Sequence, residues 1–208
     1  MADHDHDHDH DHDHDHDHEH EHTHSLDNDD EGQEFEREAR RQLALARIRQ
    51  YGDSVLRMKA RDVETFDDDL ERLVERMTTL MHEASGVGLA ATQVGVLRRL
   101  FVFMDDGEDR VIVNPVTTHS SREIELDDEG CLSLRDVLVP VERPTSVTIE
   151  GVDVRGAPVK LELEPPSSRV VQHELDHLDG VLIIDRTDEH SRRAALATLR
   201  PQPVLGAR

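Results

Sequence analysis

The chain reads as an α+β protein, with a central helix packed among antiparallel β-sheets and a disordered His/Asp-rich tail ahead of them. Three observations lead there. Apolar residues recur with helical period over residues 67–83 and again over residues 170–178. Between these stretches lie short β-branched runs separated by turn-forming residues. The first two dozen residues show no apolar period at all. Strands grouped in the middle, with helices before and after, are the α+β pattern.

Residues 3–22 alternate an acid with histidine, and eleven of the sixteen histidines fall between His4 and His24. Nothing there can offset the ordering entropy, so residues 1–33 are expected to be disordered. A folded domain over residues 34–200 and a flexible end over residues 201–208 complete the expected organisation. Residues 1–31 hold fourteen Asp/Glu and no Lys/Arg, so −14 of the net −23 is tail and −9 belongs to the rest. A mildly acidic domain argues against nucleic acid held by charge. The tail itself reads as a weak store for divalent cations, as a solvated low-complexity arm or as an appended tag. Cys131 is the sole cysteine, which excludes an internal disulfide and suits a reducing cytoplasm. No membrane span and no secretory signal is visible.

Residues 34–50, rich in Glu, Arg, Ala and Leu, suggest a helix, and Tyr51-Gly52-Asp53 a turn. Leu70, Leu73, Val74, Met77, Leu80 and Met81 form a stripe of 3.6-residue period, with Asp67–Asp69 suited to the helix N-terminus and Gly86 and Gly88 ending it. Leu100–Met104 and Val111–Val113 predict strands joined by Asp105-Asp106-Gly107. Val147–Ile149 and Val159–Leu163 predict a hairpin around Asp153–Pro158. With only five aromatic residues and no Trp, the core must be built from Leu, Val and Ile.

Residues 173–179 read His-Glu-Leu-Asp-His-Leu-Asp. On a helix, His173 and His177 stand about 5–6 Å apart at Cβ, close enough to grip one ion. Glu174, a third of a turn round, can reach a water there. Pro165-Pro166, a cap at Ser167 or Ser168, the stripe Val170, Val171, Leu175 and Leu178, and a left-handed stop at Gly180 supply the helix. A chance match on an amphipathic helix is the bland alternative. Two further segments count against it: the glycine-rich loop Gly86–Gln93, ending in an amide, and Glu129-Gly130-Cys131-Leu132-Ser133. A lone Cys is commonly a small buried hydrophobe. Beside two imidazoles lacking a third ligand, it is the natural thiolate, leaving one tetrahedral position open for catalysis. A last helix is expected over residues 188–199.

At this point the chain resembles the peptide deformylases, which remove the N-formyl group from the first methionine of new polypeptides. Three motifs carry the resemblance in the family's order: GVGLAATQ at 86–93, EGCLS at 129–133 and QHELDH at 172–177. It extends over roughly residues 50–187. The resemblance implies Cys131, His173 and His177 as ligands of one divalent metal, Fe²⁺ in the native state, with Zn²⁺, Ni²⁺ or Co²⁺ accommodated. It implies Glu174 as the proton carrier, and Gln93 and the Leu132 N–H as donors to the developing oxyanion. Val87 and Gly88 would pair with an extended substrate as an added strand.

The implied substrates are N-formylmethionyl nascent peptides, with the ribosome as a further partner. In one respect the chain departs from the family. Only Leu134–Leu138 separates Ser133 from Val139-Pro140, so Arg135, the basic residue available for substrate backbone, stands in a shifted register. Two rival readings remain: a metallopeptidase of the H-E-x-x-H type, with only His190 downstream as a third ligand, and a non-catalytic metal-binding protein.

Overall fold

The computed structural model describes residues 26–200, with side chains from Gly32 on. Two units are distinguished, residues 1–36 and 37–208, and the core and the site belong to the second. Most of the expected tail lies outside the described residues. Helix α1 spans Leu26–Leu45, so it begins before the boundary drawn at residue 33 and stops short of residue 50. Extending a formed helix outward costs far less than nucleating one, which lets it run into a polar stretch.

Helix α2, Asp68–Glu83, follows the predicted stripe. Asp67 accepts the Leu70 N–H at 3.0 Å as its cap, and Leu70, Leu73, Met77, Leu80 and Met81 are buried. Its stop differs from expectation: Ser85, at φ 57°, takes the left-handed position in place of Gly86.

Strands β1 (Gly88–Ala90), β2 (Leu100–Asp105), β3 (Glu108–Ser120), β6 (Val147–Val152) and β7 (Pro158–Leu163) form one antiparallel sheet in the order β1-β2-β3-β6-β7. Both predicted hairpins are present. Asp106 and Gly107, at φ 49° and 80°, make the primed type of turn that matches strand twist. In β3, Asn114-Pro115 interrupts the ladder between Val113 and Val116. Asn114 turns its amide to the Val63 backbone instead, accepting at 2.7 Å and donating at 2.9 Å.

Two strands fall where none was expected. β4 (Ile124–Cys131) and β5 (Leu134–Pro144) pair separately as a two-stranded sheet around the Leu132-Ser133 turn. The short stretch Leu134–Leu138 is therefore the start of a strand, bulged so that Gly130 faces Leu138 while Cys131 faces Leu134.

Helix α3 (Ser167–Leu178) lies between the two sheets. Val171 and Leu178 pack with Phe101, Phe103, Ile112 and Ile149 of the larger sheet. Toward β5, Arg169 donates to the Val141 carbonyl and Gln172 to that of Pro144, both at 2.9 Å. The residue before its first turn is Pro166, and neither serine caps it: Ser168 Oγ instead donates to the Thr145 carbonyl at 2.6 Å. Gly180 has φ 75°, and a Cβ there would meet the Arg57 carbonyl oxygen at 2.7 Å, so only glycine fits this stop. Helix α4 (Glu189–Thr198) closes the described chain, capped by Asp188. Among the described residues, no helix is long and apolar enough to cross a membrane.

Candidate metal centre

Cys131, His173 and His177 converge from β4 and α3. Their ligating atoms lie within 4.8 Å of one another, and Cys131 Sγ stands 3.2 Å from His177 Nε2. Thiolate and imidazole donors around one tetrahedral ion, at about 2.3 and 2.0–2.1 Å, stand roughly 3.3–3.6 Å apart. The set is therefore compact enough to close on a single cation.

The β4–β5 turn is pinned from outside. Gln50 Nε2 donates to the Leu132 carbonyl at 3.1 Å, and the Tyr51 N–H to that of Ser133 at 2.8 Å. The Ser133 N–H approaches Cys131 Sγ at 3.4 Å, in the manner of a donor stabilising sulfur charge.

Electrostatics suit a cation here. His173 turns Nδ1 to Glu129 Oε2 at 3.0 Å, which leaves its other nitrogen for a ligand. Burial opposes a proton on His173, yet hydrogen bonds to Cys131 and Glu129 and the surrounding charges raise its pKa well above the usual value. A ligating ring must shed that proton, so a metal ion at His173 competes with it. His177 is driven the other way by burial, then by the charges of His173 and Arg143, and stays neutral as ligation requires. Its Nδ1 is buried without a partner among the described residues.

Glu174 lies beside this set, 3 % exposed, with Oε2 buried and unpartnered. Burial raises its carboxyl to about 7, against the opposing pull of His173 and the Ala90 backbone N–H. Such a group can both take and return a proton near neutrality. Gly88 makes room for it: a Cβ there would stand 2.5 Å from Glu174 Oε1. Gly88→Ala is accordingly expected to push the carboxylate aside and cost at least about tenfold in kcat, since misplacement by about 1 Å can cost a hundredfold. Steady-state kinetics with a melting curve alongside check this; an unaltered kcat would contradict the close packing.

Gln93 is buried, and its orientation is set at both ends. Oε1 accepts the Ala90 N–H at 2.8 Å, while Nε2 donates to Ser133 Oγ at 3.1 Å and faces Cys131 Sγ at 3.8 Å. β1 is an edge strand of its sheet, as strand addition requires. Val87, however, already gives its carbonyl to the Met104 N–H at 2.9 Å. The bulge brings Arg135 to the same cavity of about 730 Å³ that Cys131, His173 and Glu174 line, with Nε buried and unpartnered among the described residues.

Glu129, which His173 faces, has further partners. It is buried, and holds Arg143 by two bonds of 2.9 Å and Arg169 by one of 3.0 Å. Arg143 went unremarked in the sequence. It links Glu129 to Asp176 at 2.7 Å, and Asp176 in turn accepts Arg186. Asp176, assigned no chemistry beforehand, is thus an outer support of the site. His190, the third ligand that a metallopeptidase would need, is not in the cluster formed among the described residues.

Comparison with known proteins agrees with this geometry. The family model for polypeptide deformylases matches residues 45–193. A peptide deformylase of Thermotoga neapolitana is 49% identical over 141 residues, covering 67% of this chain and 85% of that protein. Peptide deformylase 1 of Corynebacterium efficiens is 44% identical, with 74% of this chain and 93% of that protein covered. Among solved structures, the Thermotoga maritima enzyme superposes with a TM-score of 0.67 at 44% identity, over 68% of this chain and 97% of that one. A Synechococcus elongatus peptide deformylase in complex with actinonin does so with 0.70 at 37% identity, over 73% and 84%. Motifs, fold and site geometry agree, and the chain belongs to the polypeptide deformylase family, the metal-dependent enzymes that remove the N-formyl group from nascent peptides.

Proposed function

We propose that Cys131, His173 and His177 hold the enzyme's single metal ion and that Glu174, Gln93 and Leu132 act on the formyl group. The observation carrying this reading is the convergence of one sulfur and two imidazole nitrogens beside a buried, unpartnered carboxylate. When bound, a divalent ion supplies Lewis acidity to the attacking water and the formyl oxygen. Glu174 accepts the proton of that water as its oxygen bonds to the formyl carbon. Gln93 Nε2 and the Leu132 N–H donate to the oxygen on which charge develops; one such donor is typically worth about 3–4 kcal/mol of barrier. Glu174 then passes the proton to the departing nitrogen as the C–N bond breaks. The products are formate and a free N-terminal amine.

Val87 and Gly88 receive the peptide backbone at the open edge of β1, Val87 through its N–H, since its carbonyl is engaged. Arg135 contacts the substrate from the bulge of β5. The catalytic domain spans residues 34–200. Its substrates are met at the ribosome in the cytoplasm, a setting that the single unpaired cysteine suits.

The test is formate release from formyl-Met-Ala with metal analysis on the same sample. One ion per domain, lost in Cys131→Ala together with activity, is expected; a variant that keeps both would end the assignment. To isolate the domain's ion from any held by the histidine-rich tail, the eleven tail histidines are replaced by Gln in both proteins. We take the native ion to be Fe²⁺. Protein prepared anaerobically with Fe²⁺ is expected to exceed the Zn²⁺ form in formate release, and parity between the two argues against iron.

A further inference from the structure

The catalytic cavity has a wall that lies outside the family match. Arg41 and Gln42 of α1 line it together with His173 and Glu174, whereas the match begins at residue 45. This wall is rigid. One turn on, Ala44 and Leu45 are buried against Met77, Leu80 and Met81. Both polar side chains turn to one carboxylate: Glu38 accepts from Gln42 Nε2 at 2.6 Å and from Arg41 Nη1 at 3.5 Å. The short bond occupies Gln42. The long one leaves the guanidinium loosely held, with 40% of the Arg41 side chain exposed.

Of the cavity's other two cations, Arg169 is by contrast committed to Glu129 and to the Val141 and Glu125 carbonyls, and Arg135 enters from the opposite strand, β5, with its Nε buried. The cavity's volume of about 730 Å³ falls in the upper half of the range of about 300–1,000 Å³ usual for small-ligand sites, which leaves room for residues beyond the formylmethionine.

We propose that Arg41 is a specificity-determining residue that reads the residues following the formylmethionine and favours acidic side chains over basic ones. The guanidinium offers a fork of N–H donors matched to a carboxylate, and Glu38 keeps it at the rim without satisfying it. Because the pair forms in a solvated rim, its effect is modest and sensitive to salt, and it acts on KM more than on kcat. The inference rests on the deformylase reading of the site.

The experiment compares kcat/KM on formyl-Met-Ala-Asp-Asp-amide and formyl-Met-Ala-Lys-Lys-amide, using the metal-loaded full chain. The amide caps remove the competing terminal carboxylate, and the doubled charge makes the register unimportant. Wild type is expected to prefer the acidic peptide by about two- to fivefold at low salt, chiefly through KM. Arg41→Gln lowers the preference, Arg41→Glu lowers it further and Arg41→Lys keeps most of it, while Arg135 is unchanged in all three. Arg47→Gln deletes the same charge at a residue paired with Glu83 and absent from the cavity lining, and it keeps the wild-type ratio. Each ratio is internal to one protein, so partial loss of folded enzyme leaves it unchanged. An acid-to-base ratio unaltered in Arg41→Gln overturns the proposal. Absence of formate from both peptides with wild type instead overturns the deformylase reading beneath it.

Discussion

Replacing Glu174 with Gln is expected to lower kcat/KM on formyl-Met-Ala by about 10²–10⁴-fold, the usual worth of a general acid–base, while the bound metal stays. The side chain keeps its volume and loses only the ability to carry a proton. Because it is not among the three converging ligands, metal content per domain should match wild type. The pH dependence adds a second readout. Burial raises the carboxyl to about 7 in the metal-free site, and the charge of a bound cation draws it down from there, so the acid limb of kcat/KM in wild type should reflect, below 7, a group that must be ionised to accept the first proton. Activity then falls as pH drops through that limb, and Glu174→Gln abolishes the limb along with the rate. If Glu174→Gln retained activity within tenfold, or if its loss were matched by lost metal, proton transfer through this residue would be wrong.

Legibility in the sequence followed burial pattern. The α2 stripe and the β6–β7 hairpin were readable because one face of each is apolar and the other polar, which sets a period. β4 was not. In Ile124–Cys131 the apolar residues Ile124 and Leu126 are exposed, and their alternation with acids stops at Asp128, so too short a period marks the strand. The convergence of Cys131, His173 and His177, in contrast, was legible from the His-x-x-x-His spacing and the family's motifs, although a lone Cys by itself reads as a buried hydrophobe.

The supports of those ligands were harder to see, although a signal existed. Val137, Val139 and Val141 alternate inward along β5, and the next inward position is Arg143. A charge at a core-facing position of a strand demands a buried counterion. Followed through, that rule would have paired Arg143 with an acid on the neighbouring strand, and Glu129 is the one it holds.

That pair supports the second large prediction. Glu129→Ala is expected to destabilise the fold by about 3–5 kcal/mol, because Arg143 and Arg169 would lose the carboxylate that both contact in a nearly dry interior. It should also weaken metal binding about 10–100-fold, since His173 would lose the acceptor that orients its ring. Removing both charges separates the two effects. Arg143→Met combined with Glu129→Ala should recover part of the stability, with Asp176 keeping Arg186 while Arg169 still lacks its carboxylate, and little of the metal affinity, because the ring still lacks its acceptor.

The pH dependence carries a definite sign. Burial alone would raise the Glu129 carboxyl. The hydrogen bonds from Arg143 and His173, with their charges, overcome this and bring it to about 2 from 4.5. A depressed carboxylate contributes stability that is present in full above the unfolded value and is lost as pH falls through the folded one. Wild type, stripped of metal, should therefore lose stability between about pH 4.5 and 2, with a steeper slope than Glu129→Gln. Denaturant titrations at successive pH values measure both slopes. Parallel slopes would mean that the carboxylate is solvated and that His173 is oriented by something else.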